Sequence, residues 1–270
     1  MKKNTQIAVA VAAVVVILGG LAAYFLWQPS PPKPAPAQVQ APPPPPPPPP
    51  KPEVRQVIET PPAPPPLPAL ADSDSFMLDA LAGLVGNKSL MKFFHTERII
   101  RNIVATIDNL PRRRAPMSVM PVERAPGQFI IAGTEDGLTI SPENAARYTP
   151  YVRIAKAIDA KKLVELYVRL YPLFQQAYEE LGYPKKYFND RLIVAIDDLL
   201  AAPNIKEPVA LIQPSVYYKY ADPDLEARSI GQRILMRIGS RNEAIMKGKL
   251  REIKQELLLH MREKKVESAG

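Results

Sequence analysis

Ile7 to Trp27 form an unbroken apolar run with no charged residue, and about forty proline-saturated residues follow at once. At about 1.5 Å rise per residue, a helix over the run is roughly 30 Å long, the thickness of a bilayer's hydrocarbon core. Behind it lie Pro29 to Pro68, with nine consecutive prolines from Pro42 to Pro50. The order is anchor, spacer, cargo.

A cleavable signal peptide also begins with basic residues and an apolar core, but that core is usually about 7–15 residues long and ends in a small-residue cleavage site. Here the run is longer, and the nearest Ala-x-Ala, Ala35 to Ala37, stands among prolines well beyond it. An uncleaved signal-anchor over residues 6–27 is therefore expected. Lys2 and Lys3 precede the helix and the next positive charge is Lys33. The positive-inside rule then places residues 1–5 in the cytoplasm and nearly all the chain across the membrane. Tyr24 and Trp27 fit the aromatic belt. In a Gram-negative bacterium this is a single-pass inner-membrane protein with a periplasmic domain.

Residues 28–68 read as a Pro-rich linker. Polyproline II rises about 3.1 Å per residue, so forty residues reach at most roughly 120 Å. Pro-rich segments also serve as ligands for aromatic grooves; a plain spacer is the preferred reading here.

The chain has no cysteine, which excludes disulfides, thiolate zinc sites and a cysteine nucleophile. The first 67 residues hold five basic and two acidic residues of the chain's 35 and 27, so the remainder carries 30 against 25, a net +5. That mild excess lacks the motifs of a nucleic-acid module, and no nucleic-acid partner is expected. Weak attraction for anionic lipid or wall polymer is compatible with it.

From Leu70 onward the pattern is that of a folded domain. About 190 residues suffice to bury roughly 70% of the unfolded surface. The expected class is mainly α with a small β element (α+β): one multi-helix globular domain over residues 69–260, with 261–270 a disordered tail. Asp72 to Ser75 cap a helix over FMLDALAGLVG, and a second helix covers Ser89 to Phe94. Thr96 caps a third, in which Ile99, Ile103 and Ile107 recur every four residues. QFIIAG and GLTIS around Thr134 to Gly137 form a hairpin signal. A helical turn is expected near Asn144 to Arg147. The strongest helix opens at Asp159, carries an apolar-aromatic stripe from Leu163 to Leu181 across Pro172, and closes at Gly182. Asn189-Asp190 caps the next, PVALIQ and VYYKYA are extended, and Asp222-Pro223 opens a helix to Gly239. Ser240 starts the last, with Ile245, Leu250, Ile253 and Leu257 inward.

Signals of catalysis are missing. There is no nucleophile elbow, phosphate-binding glycine loop or H-E-x-x-H spacing. His95 and His260 are too isolated for a metal site. No catalytic residue, metal or cofactor is assigned. Asp197-Asp198 and Glu179-Glu180 point about 100° apart on helices and read as solvated faces. Tyrosine is the unusual feature: all but Tyr24 of the eleven lie between Tyr148 and Tyr220, mixed with Arg147, Arg153, Arg169 and Arg191. Tyr and Arg are the residue types of recognition surfaces. Tyr167, Tyr171 and Tyr178 read as core, whereas Tyr148, Tyr217 and Tyr218 are balanced between core and surface. Two polar clusters complete the candidates, Asp108-Asn109 before the basic run Arg112 to Arg114, and Asn189-Asp190-Arg191. Each also has a capping explanation. The candidate binding set is thus Arg147, Tyr148, Asp108, Asn109, Asn189, Asp190 and Arg191.

The segments ATIDNLPR (105–112), ARYTPYV (146–152), LYPLFQQAYEELGYP (170–184), YFNDRLIVAIDDLLA (187–201) and YADPDLEARSIGQRILMRIG (220–239) together resemble the proteobacterial domain-of-unknown-function family 3014. The resemblance implies an N-terminal membrane helix and Pro-rich linker, and no established activity or ligand. The leading expectation is a non-enzymatic envelope module binding a protein or cell-wall partner. An envelope hydrolase or transferase is the alternative and needs Asp108, Asp190 and an arginine in one cleft. A purely structural spacer is the third reading.

Overall fold

The structure, a computed structural model, describes residues 66–85, 95–114, 125, 127–134 and 137–267. The expected anchor and the expected helix over Ser89 to Phe94 lie outside them. Of the unit spanning Gln28–Leu67, only Pro66 and Leu67 are described. Among the described residues no helix is long and apolar enough to cross a membrane.

The architecture is mainly helical with short strands. A 3-10 turn, Leu70–Asp72, leads into α1 (Ser73–Val85), and α2 (Ile99–Asn109) follows. Then come β1 (Ile131–Ala132), β2 (Thr139–Ile140), α3 (Glu143–Ala157), α4 (Ala160–Glu180) and α5 (Phe188–Leu200). The chain closes with β3 (Leu211–Ile212), β4 (Lys219–Tyr220), α6 (Pro223–Glu226), α7 (Ile230–Arg237) and α8 (Ser240–Glu267).

Helix α8 packs against α3, α4, α5 and α7, while α2 packs against α1, α4 and α5. The periodic apolar residues explain both. Met246, Leu250, Ile253 and Leu257 turn one stripe of α8 inward. In α2 every residue from Ile103 to Asp108 is buried, so this helix runs inside the bundle rather than along its surface.

Several helix starts are secured from afar. Thr96 does not cap α2; the carboxylate of Asp74 accepts from the backbone N–H of Arg98 and Ile99 at 2.7 and 2.9 Å. Asn189-Asp190 does not cap α5, which begins at Phe188, whose N–H donates to Gln175 Oε1 at 2.8 Å. Asp159 and Asp222 are caps as expected, accepting from Lys162 and Asp224 N–H. The helix expected from Pro223 to Gly239 is broken, because Ser229 opens α7 afresh by accepting from Gln232 N–H.

The turn expected near Asn144 is a fifteen-residue helix, α3, continuing through Pro150. Proline removes one backbone donor there; in the same stretch Thr149 Oγ1 and Asn242 Nδ2 both donate to the Ala145 carbonyl, which ties this helix to α8. Helix α8 runs to Glu267, where a disordered tail from residue 261 was expected. The bend between α7 and α8 needs Gly239: its φ is +90°, and a Cβ would sit 2.8 Å from that of Ala145.

The strands pair antiparallel as two hairpins, Ile131 opposite Ile140 and Leu211 opposite Tyr220. A bridge between Thr139 and Ala210 joins them. Phe129, Val209, Leu211, Tyr220 and Met236 form a second core beneath the strands. The open edge of β4 is closed by Glu226, which accepts from Tyr220 N–H at 3.0 Å. Arg237 is buried there between the Tyr220 and Phe129 rings, 4.7 and 5.7 Å from their centroids. Burial pulls its pKa down and pushes the Tyr220 hydroxyl up to about 12.

Candidate functional site

The end of α2 and the start of α7 meet so closely that no side chain fits between them. A Cβ on Gly231 would stand 2.6 Å from Leu199 Cδ2 and 3.1 Å from the Leu110 carbonyl oxygen. Gly231 and Ile230 N–H groups donate to the carbonyls of Leu110 and Arg112 at 2.9 and 2.7 Å. This contact holds the 110–114 segment against α5 and α7, and with it a cluster of polar side chains.

Asp108 is at the centre. Its side chain is 6% exposed and paired with two arginines: Arg112 Nη2 lies 2.5 Å from Oδ2, and Arg191 Nε lies 2.9 Å from Oδ1. The same two guanidinium groups donate to the Asp108 carbonyl, Arg112 Nε at 3.2 Å and Arg191 through Nη2. Cations at the end of α2 also oppose the negative pole of the helix. Tyr183 Oη takes a hydrogen bond from Arg112 at 2.7 Å and stands 3.4 Å from Asp108 Oδ2. Its ring stacks on Tyr178 at 4.7 Å, and Lys186 Nζ lies 5.4 Å from its centroid. Burial lowers the Arg112 pKa, but Tyr183 and Asp108 outweigh it, leaving the guanidinium above its ordinary value. Burial and the Asp108 charge push Tyr178 up.

A second carboxylate stands alongside. Asp198 accepts from Ser229 Oγ at 2.6 Å and Gln232 Nε2 at 2.9 Å, and it feels the charges of Arg191 and Arg228. Arg228 in turn donates to Gln232 Oε1 at 3.2 Å. Burial raises the pKa of Asp198, only partly offset by its two donors. Asp198 is thus a half-buried member of the cluster rather than part of a solvated face.

Of the residues expected from sequence, Asp108 and Arg191 come together here. Asn109 turns back into its own helix, donating to the Ala105 carbonyl at 2.7 Å. Asn189 accepts from Tyr167 Oη at 2.5 Å. Asp190, adjacent to Arg191, is exposed and acts on Tyr171 together with Tyr187 and Glu179. Successive helical residues diverge by about 100°, so Asp190 faces a different set of groups from Asp108. Arg147 and Tyr148 lie apart, on α3. Tyr148 is 4% exposed and belongs to the main core, because the fifteen-residue helix turns its ring inward. Arg147 donates to Gly127 O at 2.8 Å and Asn144 Oδ1 at 3.2 Å.

Tyr183, Asp198, Ser229 and Gln232 were not among the expected residues. The i,i+4 spacing of Asp108 and Arg112 was the one sequence signal for the cluster; the others are separated from Asp108 by whole helices. An apolar cavity of about 70 Å³ lies nearby, lined by Met77, Leu81, Ile103, Tyr167, Phe188 and Leu257 among others. It is smaller than the roughly 150 Å³ space that holds benzene in an engineered core. Among the described residues, no three His, Asp or Glu side chains are grouped as a metal ion requires.

What this arrangement does chemically is to bind charge to charge. Both guanidinium groups of the pair converge on one carboxylate, and the hydroxyl of Tyr183 completes a ring. A family model described as Protein of unknown function (DUF3014) matches residues 99–254, which spans α2 to most of α8 and the whole cluster. The chain belongs to that family. No curated protein and no solved structure matches it.

Proposed function

We propose that this is a membrane-tethered, non-enzymatic binding module of a bacterial envelope. Residues 6–27 anchor it with the N-terminus in the cytoplasm, residues 28–68 are the spacer, and the helical domain works in the periplasm on an envelope protein or cell-wall partner. The observation that carries the non-enzymatic part is the state of Asp108. Its carboxylate is committed to Arg112 and Arg191 at 2.5 and 2.9 Å, so it is not poised as a base or nucleophile. The hydrolase or transferase alternative needs Asp190 beside it, whereas Asp190 is exposed and its side chain leaves α5 about 100° round from that of Arg191. The uncharged apolar run and the proline tract support the tether.

An alkaline phosphatase fusion joined after Pro68 tests the placement. The fusion is expected to be active in growing cells, because the enzyme folds only outside the cytoplasm. An inactive fusion, with a cytoplasmic reporter at the same junction active, overturns the proposal.

A further inference from the structure

The cations around the α2–α5–α7 seam outnumber its acids. Arg112 and Arg191 flank Asp108, Arg228 adjoins Asp198, and Arg233 pairs with Glu226 at 2.8 Å. Arg233 also donates to the Arg113 carbonyl at 2.7 Å, which brings α7 onto the 112–114 segment. Arg113 and Arg114 are exposed, and among the described residues their guanidinium groups have no ion pair. Six arginines therefore accompany the three carboxylates Asp108, Asp198 and Glu226 at this seam.

We propose that this seam is the docking surface for a carboxylate-bearing linear wall polymer, with Arg113, Arg114 and Arg228 as its anchors. The surplus charges follow a surface strip along 112–114 and across to α7, which suits an anion repeated along a chain rather than a single small ion. The cations are almost all arginine. A guanidinium fork matches a carboxylate in a planar, two-point geometry, whereas a lysine acts only as a point charge. Asp108 displays the recognition mode internally: one carboxylate, two guanidinium groups and a tyrosine hydroxyl. The backbone beneath the strip is held by Gly231 and by hydrogen bonds from α7 and its start to the carbonyls of residues 110, 112 and 113.

This partner rests on the periplasmic placement proposed above, and the two fail separately. The full-length chain in neutral detergent is sedimented with purified peptidoglycan sacculi over a range of salt. Binding that weakens steadily with salt is expected. R113E/R114E should lower affinity by about tenfold or more, with R113K/R114K intermediate and R153E, at an exposed position on α3, unchanged. Arg113 and Arg114 make no side-chain bond among the described residues, so thermal unfolding midpoints of these variants should match the parent.

Equal sedimentation of parent and R113E/R114E overturns the proposal. An inactive phosphatase fusion sinks the periplasmic reading and this one with it; an active fusion with no retention on sacculi sinks this one alone.

Discussion

Asp108 is held at four points: both carboxylate oxygens and the backbone carbonyl engage arginine, and Tyr183 approaches from the loop after α4. Removing that charge leaves Arg112 and Arg191 facing each other without their shared anion. Arg112 is 46% exposed, so water recovers part of the loss. Asp108→Asn is therefore expected to destabilise the fold by about 1–3 kcal/mol, against no more than about 0.5 kcal/mol for Asp190→Asn. Urea unfolding of both variants measures this, and equal losses would contradict the distinction between them. The i,i+4 relation of Asp108 to Arg112 can be read along the chain. The relation to Tyr183, 75 positions away, cannot.

Among elements, the less expected result is where helices begin. α2 has the apolar repeat that sequence periodicity detects, yet its first N–H groups are satisfied by Asp74 of α1, 24 and 25 positions earlier. Asp74→Ala should cost about 1 kcal/mol, the ordinary worth of an N-cap, while Thr96→Ala should stay within about 0.5 kcal/mol. Reversed magnitudes in chemical denaturation would restore Thr96 as the cap. α5 likewise starts on Gln175 from the preceding helix. α3 shows the opposite failure of local reasoning. Pro150 argues against a long helix, but burial of Tyr151, Val152 and Ala155 outweighs one lost backbone bond. Outside α3, periodicity thus revealed which segments are helical, and tertiary partners moved their ends.

Across the whole molecule, buried acids leave a mark on stability that pH can expose. Burial raises the pKa of Asp198, and of Glu243, which is paired with Lys247 at 2.6 Å in the interior. A carboxyl raised in the fold binds its proton more tightly there than in the unfolded chain. Its stabilising contribution is complete below the ordinary carboxylate range and is lost as pH rises through the raised value. Asp198→Asn should accordingly flatten the decline in thermal midpoint as pH climbs just above that range. An unchanged slope would show that Asp198 does not contribute.

The mainly helical class, the first hairpin, the family and the apolar periodicity of α2, α4, α5 and α8 were legible along the chain, because each is encoded within a few turns of it. Which polar residues meet depends on the packing of the folded domain. Asp108 with Arg191, Asp198 with Ser229 and Arg113 with Arg233 are joined across 83, 31 and 120 positions. No local pattern records such pairings. They follow from how apolar faces pack, which brings together whatever polar groups lie at the seams.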